Sequence, residues 1–253
     1  DGMVSSLNDF TFICWFNTDV NDPWTRLIDF GSSTAVNMFF TPSYGGTNIP
    51  RFAIKQSDGG EQRITSSSPL NQGQWYHIAV TIDDNTNTGK MYLDGTLIAE
   101  NNSMTIRPSS LGNTTNNYFG KSQYNDPYLD GMMDDISIWG RTLDQNEIQS
   151  SMYTSLNGDE IGLISYWGLN EGSGGTTYDK SSNTNDGVLN NMDPTSAWFF
   201  QRGSVTTATI MSQDASISTI NSDQFRADYT TTCLLYTSDA ADDSLRVDLG
   251  GRR

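Results

Sequence analysis

The stretch D-G-M-M-D-D-I-S-I-W-G-R-T-L-D-Q-N-E-I, residues Asp130 to Ile148, reads as a strand that runs straight into a short helix. Side chains alternate faces along a strand. Across Met133–Trp139, Asp134, Ile136 and Ile138 therefore share one face, and Met133, Asp135, Ser137 and Trp139 the other. The apolar pair Ile136/Ile138 marks the first face as the core side, and Asp134 is expected there too. A carboxylate left inside without partners costs roughly several kcal/mol, so Asp134 requires hydrogen-bond donors or a cation. The helix signal follows at once. Asp144 is an N-cap, Glu147 completes a capping box, and Leu143 and Ile148 are placed as a hydrophobic staple.

Outward from this stretch, short alternating runs separated by turn residues fill the first 150 positions. In Gln74–Asp83, Tyr76, Ile78, Val80 and Ile82 form one face; Trp75, His77, Ala79 and Thr81 form the other. Lys90–Leu93 and Thr96–Ala99 flank Asp94-Gly95, the dipeptide of a tight primed hairpin turn. Phe10–Asn17 places Phe10, Phe12, Cys14 and Phe16 on one face, so Cys14 is expected as a small buried core residue. Leu27–Phe30, Val36–Thr41, Arg51–Ile54, Gln62–Thr65 and Tyr118–Gly120 are further short strands. This spacing predicts an all-β antiparallel sandwich, with Phe10, Phe12, Cys14, Ile78, Val80, Ile136 and Ile138 between its sheets.

Five pieces in order carry a family resemblance: F-T-F-I-C-W-F-N at 10–17, G-Q-W-Y-H-I-A-V-T-I-D at 73–83, M-Y-L-D-G-T-L-I-A at 91–99, R-P-S-S-L-G-N-T-T-N-N-Y-F-G-K-S-Q-Y-N-D-P-Y-L-D-G at 107–131, and the 130–148 stretch. Together they resemble bacterial laminin-G-like jelly-roll domains of the concanavalin A-like lectin/glucanase fold, over almost all of residues 1–150. The resemblance implies a two-sheet jelly roll with a short C-terminal helix, here residues 1–157. Gly162–Glu171 and the following G-S-G-G-T-T-Y-D-K-S-S-N-T-N-D-G-V-L resemble the opening of a second such module, truncated, over 158–232. The alternative is that residues 160–200 cap the first domain. Residues 233–253 resemble translated sequencing-library adaptor, C-L-L-Y-T-S-D-A-A-D followed by R-V-D-L-G-G-R-R. They are set aside from fold reasoning, and the chain is expected to be a fragment of a longer protein.

Composition narrows function. Charged residues are 17%, and 30 acids against 14 Lys and Arg give a net charge of −16. A nucleic-acid backbone would be repelled, and no apolar run reaches the about 20 residues of a membrane span. β-Glucan hydrolases on this fold are expected to show E-x-D-x-x-E, because glycosidic cleavage needs two carboxyl groups flanking the bond. No such motif is present, and Glu61, Glu100, Glu147, Glu160 and Glu171 are scattered. His77 is the one histidine, mid-strand and expected on the outer sheet face.

Two chemistries remain. Calcium takes oxygen ligands, and laminin-G-like relatives imply it. Asp134, beside a loop containing Asp126 and Asp130, is one candidate site; Asp179, Asn183 and Asn185 in a polar turn are another. Hydrogen bonds to backbone amides or Arg141 are the alternative at Asp134, and Asx-turn chemistry the alternative at 179–187. For sugar, exposed rings stack on pyranose faces beside planar polar groups. Trp24, Tyr44, Tyr124 and Tyr128 lie in loops, with Arg51, Arg63, Arg107, Asn116 and Asn117 as polar partners. The loops around 42–48 and 121–130 would form one rim; the alternative is that the rings plug the sandwich ends. The expected function is a noncatalytic carbohydrate-binding or adhesion module, outside the cell or on its surface, whose partner is a glycan or an extracellular protein. The alternative is an accessory domain of a glycoside hydrolase.

Overall fold

The computed structural model describes residues 2–58, 60–200 and 233–237. Two antiparallel sheets face each other. The five-stranded sheet contains β2 (Ile28–Ser33), β3 (Val36–Thr41), β4 (Arg51–Lys55), β5 (Glu61–Thr65) and β9 (Asn116–Phe119), in the order β5-β4-β3-β2-β9. The eight-stranded sheet is built on β1 (Phe10–Val20), β6 (Tyr76–Asp83), β7 (Thr88–Leu93), β8 (Thr96–Asn101) and β10 (Asp130–Trp139), with β1 between β10 and β6. One short helix, α1 (Gln145–Ser151), follows β10.

The alternation read from the sequence makes the core. Phe10, Phe12, Cys14, Ile78, Val80, Ile136 and Ile138 are all buried, in one cluster with Ile28, Phe30, Met38, Phe40, Phe52 and Ile54 of the facing sheet. Ring pairs span the gap: Phe10–Phe52 at 6.3 Å and Phe12–Phe40 at 6.4 Å. Cys14 is a free thiol, and burial pushes its pKa up. A second apolar cluster, including Ile13, Ala79, Trp139, Leu143 and Ile148, covers the other side of the larger sheet. Here α1 docks through its expected signals. Asp144 Oδ1 accepts from the Glu147 amide at 2.9 Å, and Glu147 Oε2 accepts from the Asp144 amide at 2.9 Å. The hairpin turn is also as read, with φ of 49° at Asp94 and 72° at Gly95, the positive pair a type I′ turn requires.

The alternation in β10 is interrupted, which corrects the expectation for Asp134. Ser137 pairs with Ile13, but Asp134 pairs with Trp15 and Met133 with Phe16. One extra residue is thus accommodated in β10, a β-bulge, and Asp135 there adopts φ 48°. The bulge reverses the faces before it. Met133 lies in the sandwich core, and Asp134 shares the opposite face with Trp15 and its neighbour His77. Asp134 is still fully buried, under the second layer and not between the sheets. Its Oδ1 accepts from the Asp135 amide at 2.9 Å.

Packing also crosses the expected boundary at residue 157. β11 (Leu163–Trp167) pairs with β10 through Ile136↔Trp167 and Ile138↔Ser165. Trp167, Leu169, Ala197 and Trp198 are buried in the main core cluster, and the Trp167 ring meets Phe119 at 5.0 Å. Residues 163–198 therefore share the sheet and core of the first domain. Short strands β12 (Thr176–Thr177) and β13 (Gly187–Val188) form a ribbon in this segment. β14 (Trp198–Phe200) and β15 (Cys233–Thr237) complete the larger sheet, where the β15 backbone runs antiparallel to Gly131–Met133 of β10. Residues 201–232, the rest of the expected second module, lie outside the described residues, as do 238–253.

Candidate functional site

The face of the five-stranded sheet turned away from the core is fixed by register. One row across it reads Tyr118–Asp29–Phe39–Ala53–Arg63; the next reads Asn116–Gly31–Asn37–Lys55–Glu61; Thr41, Arg51 and Thr65 form a third. Residues facing Phe30, Phe40, Phe52 and Ile54 point the other way, into the core.

A buried floor lies on this face. Arg26 is only 2% exposed. Its guanidinium sits 3.9 Å from the Phe39 ring centroid and 5.6 Å from that of Trp24, and it donates to the Trp24 carbonyl. Two carboxylates offset its charge, Asp29 at 3.6 Å and Asp126 at 3.3 Å. Burial lowers the Arg26 pKa, and the charges of Asp29 and Asp126 oppose that fall. Burial likewise raises Asp29, against hydrogen bonds from Gln123 and the charge of Arg26. The loop after β9 folds down onto this pair. Asp29 accepts from the Gln123 amide at 3.0 Å and from Gln123 Nε2 at 3.2 Å, and Ser122 Oγ donates to Asp126 at 2.8 Å. Gly31 permits the approach, because a Cβ there would collide with Gln123 and with the Val36 carbonyl. Tyr124 ties the loop to the sheet, its hydroxyl donating to the Thr34 carbonyl at 2.7 Å.

Above the floor lies a partly exposed rim. Trp24, held at φ 66°, places its ring 6.1 Å from that of Tyr44. Arg51 stacks on Tyr44, 3.7 Å from the ring centroid, and its Nε donates to Thr65 Oγ1 at 3.0 Å. Burial lowers the Arg51 pKa, and the neighbouring charge of Arg63 lowers it further. Across the face, Lys121 lies over Tyr118 at 4.5 Å. It helps line a cleft of about 350 Å³ with Asn116, Gln123 and Tyr124.

Of the residues expected to bind ligand, Trp24, Tyr44, Arg51, Arg63 and Tyr124 are gathered on this face, with Asn116 at its edge. Three are not. Arg107 is buried elsewhere, donating to Asp84, Asn87 and the Met104 carbonyl. Asn117 is exposed but pairs with Phe30, which points into the core. Tyr128 is 46% exposed on the same long loop, without a ring contact to the Trp24–Tyr44 pair. Sequence reasoning missed Arg26, Phe39 and Lys121. The one available signal was the W-T-R run at 24–26.

The candidate calcium residues are engaged with groups of the protein. Asp126 is engaged with Arg26 and Ser122, and Asp134 with its own following amide. Asp179 accepts four hydrogen bonds: from the amides of Tyr166, Ser181 and Asn185 and from Ser181 Oγ, each at 2.9 Å. Asn183 and Asn185 donate to the Ile164 carbonyl and to Ser165 Oγ. Among the described residues no group of three or more His, Cys, Asp or Glu is placed to hold a metal ion.

The comparisons follow this geometry. No curated protein matches the chain in sequence. Among solved structures, a protein from Bacteroides ovatus ATCC 8483, provisionally assigned to carbohydrate binding, superposes with a TM-score of 0.53 at 20% identity. It covers 72% of this chain, and the chain spans 54% of it. The Ruminococcus gnavus IT-sialidase CBM40 bound to α2,3 sialyllactose gives 0.52 at 14% identity, covering 59% of this chain and 85% of its own. At such identities the likeness is one of fold. A family model of laminin-G type matches residues 1–149, and this chain accordingly belongs to the concanavalin A-like lectin/glucanases superfamily.

Proposed function

We propose that this protein is a noncatalytic carbohydrate-binding module, and that its sugar seats on Trp24 and Tyr44 at the outer face of the five-stranded sheet. The observation that carries the reading is the half-buried Trp24–Tyr44 pair, with rings 6.1 Å apart and Arg51 stacked on Tyr44. Apolar ring faces bordered by a few fixed polar groups are what a pyranose requires. A noncatalytic role is supported by the neighbouring acids: Asp29 and Asp126 are both committed to Arg26. The CBM40 structure, bound to α2,3 sialyllactose, supports a glycan ligand. We place the module outside the cell or on its surface, within a longer protein. Among the described residues no helix is long and apolar enough to cross a membrane.

The test is a glycan array probed with the 253-residue chain, followed by calorimetric titration of the best hit into Trp24→Ala and Tyr44→Ala. Both variants should weaken binding by about tenfold or more, in line with a ring contact worth roughly 1–2 kcal/mol, while the melting temperature stays within a few degrees. Undiminished affinity in both moves the site elsewhere. A glycoside hydrolase domain encoded in the same reading frame would make this its accessory module.

A further inference from the structure

Resting on the carbohydrate-binding reading, we infer that the saccharide is acidic, and that Arg51, with Arg63 beside it, takes a carboxylate or sulfate group of the ligand. Arg51 differs from the other described arginines. Arg26 has Asp29 and Asp126, Arg107 has Asp84, Arg141 has Glu147, and Arg63 has Glu61 at 3.9 Å. Among the described residues no carboxylate lies within that range of Arg51, in a chain with 30 acids and 14 Lys and Arg.

Its surroundings hold it ready. The guanidinium is clamped flat on Tyr44, and its Nε is committed to Thr65. The two terminal nitrogens form the remaining fork, the geometry that matches a planar or tetrahedral oxyanion. The group is half-buried, and burial weakens its hold on its proton; an arriving anion would offset that cost. Arg63 stands on the same face two residues from Thr65, 59% exposed on its side chain, and its pair with Glu61 is a loose surface contact, the kind that contributes little. Lys55 continues the same face of β4. An anionic ligand approaching this protein meets a repulsive overall field, so a local cationic patch beside the ring platform has a definite role. A neutral sugar would leave the Arg51 fork unanswered.

The experiment uses the full chain on an array carrying neutral, carboxylated and sulfated oligosaccharides. Acidic members should dominate the hits. The best hit is then titrated beside its uncharged counterpart, methyl-esterified if carboxylated and desulfated if sulfated, which tells the two anions apart. The charged form should bind about tenfold tighter, and that advantage should shrink in high salt. Arg51→Gln and Arg63→Gln should each reduce the advantage; the exposed Arg63 serves as the variant that cannot fail by unfolding. Equal binding of charged and uncharged forms, or a hit list of neutral sugars alone, overturns the acidic ligand and leaves carbohydrate binding standing. Binding to no saccharide of any class overturns both.

Discussion

Asp179 shows what a buried carboxylate does in this protein. Burial raises its pKa, but the amides of Tyr166, Asn185 and Ser181 and the Ser181 hydroxyl outweigh burial and leave it below the ordinary carboxylate range. A depressed carboxyl stabilises the fold above the unfolded value of about 3.9, and that share is lost as pH falls through the lower folded value. Asp179→Asn should cost about 2–4 kcal/mol at neutral pH in urea unfolding, and the gap between parent and variant should narrow below about pH 4. The same lone pairs bear on calcium. A metal at 100 times its dissociation constant would add about 2.7 kcal/mol; with Asp179 already answered by protein donors, we expect chelator and calcium to give the same melting curve. A rise in calcium would install an ion at the acids of the Asp126–Asp134 segment. The buried Arg26 was hard to read in sequence for a related reason: Asp29 is three residues on, but its other partner, Asp126, lies 100 positions away. Arg107 was misjudged for the converse reason, because a lone arginine reads alike whether it meets a ligand or ties two loops together.

At the scale of elements, local signals were read correctly and a cross-strand one was not. The hairpin at Asp94-Gly95 and the capping box of α1 are written in adjacent residues whose backbone demands are self-contained. The bulge at Asp135 is not, because Asp134, Ile136 and Ile138 alternate without a break in the sequence. Only the partner strand shows that Trp15 must face Asp134. Deleting Asp135 tests the bulge. It would straighten β10 while leaving Asp134 opposite Trp15 and Met133 opposite Phe16, because removing the extra residue restores plain alternation from Ser137 back to Met133. The expected loss is about 1–3 kcal/mol, from the hydrogen bonds Asp135 makes with the Tyr166 hydroxyl and the Asp134 carboxylate. An unchanged denaturant midpoint would show that the bulge contributes nothing to stability.

At the scale of the whole molecule, the question is where the folding unit stops. A chain ending at residue 157 loses β11 and uncovers the core where Trp167, Leu169 and Trp198 pack. Each such side chain is worth roughly 1.5–3 kcal/mol on burial, and the sum rivals the stability of an ordinary domain. We expect that truncation to unfold without a cooperative transition in calorimetry, where the full chain unfolds with one. Removing only Cys233–Arg253 is the finer test. If this stretch is adaptor, the melting temperature is unchanged; a fall of several degrees, roughly what 1 kcal/mol produces, would give β15 a place in the fold. The layering of the binding face has a consequence for descent as well. Arg26, Asp29 and Phe39 are locked beneath by burial and charge, whereas Tyr44, Arg51, Arg63 and Tyr124 stand partly in solvent, where exchanges cost about 0.5 kcal/mol or less. A lineage carrying this sheet could therefore trade one sugar preference for another by single rim replacements, each intermediate remaining folded.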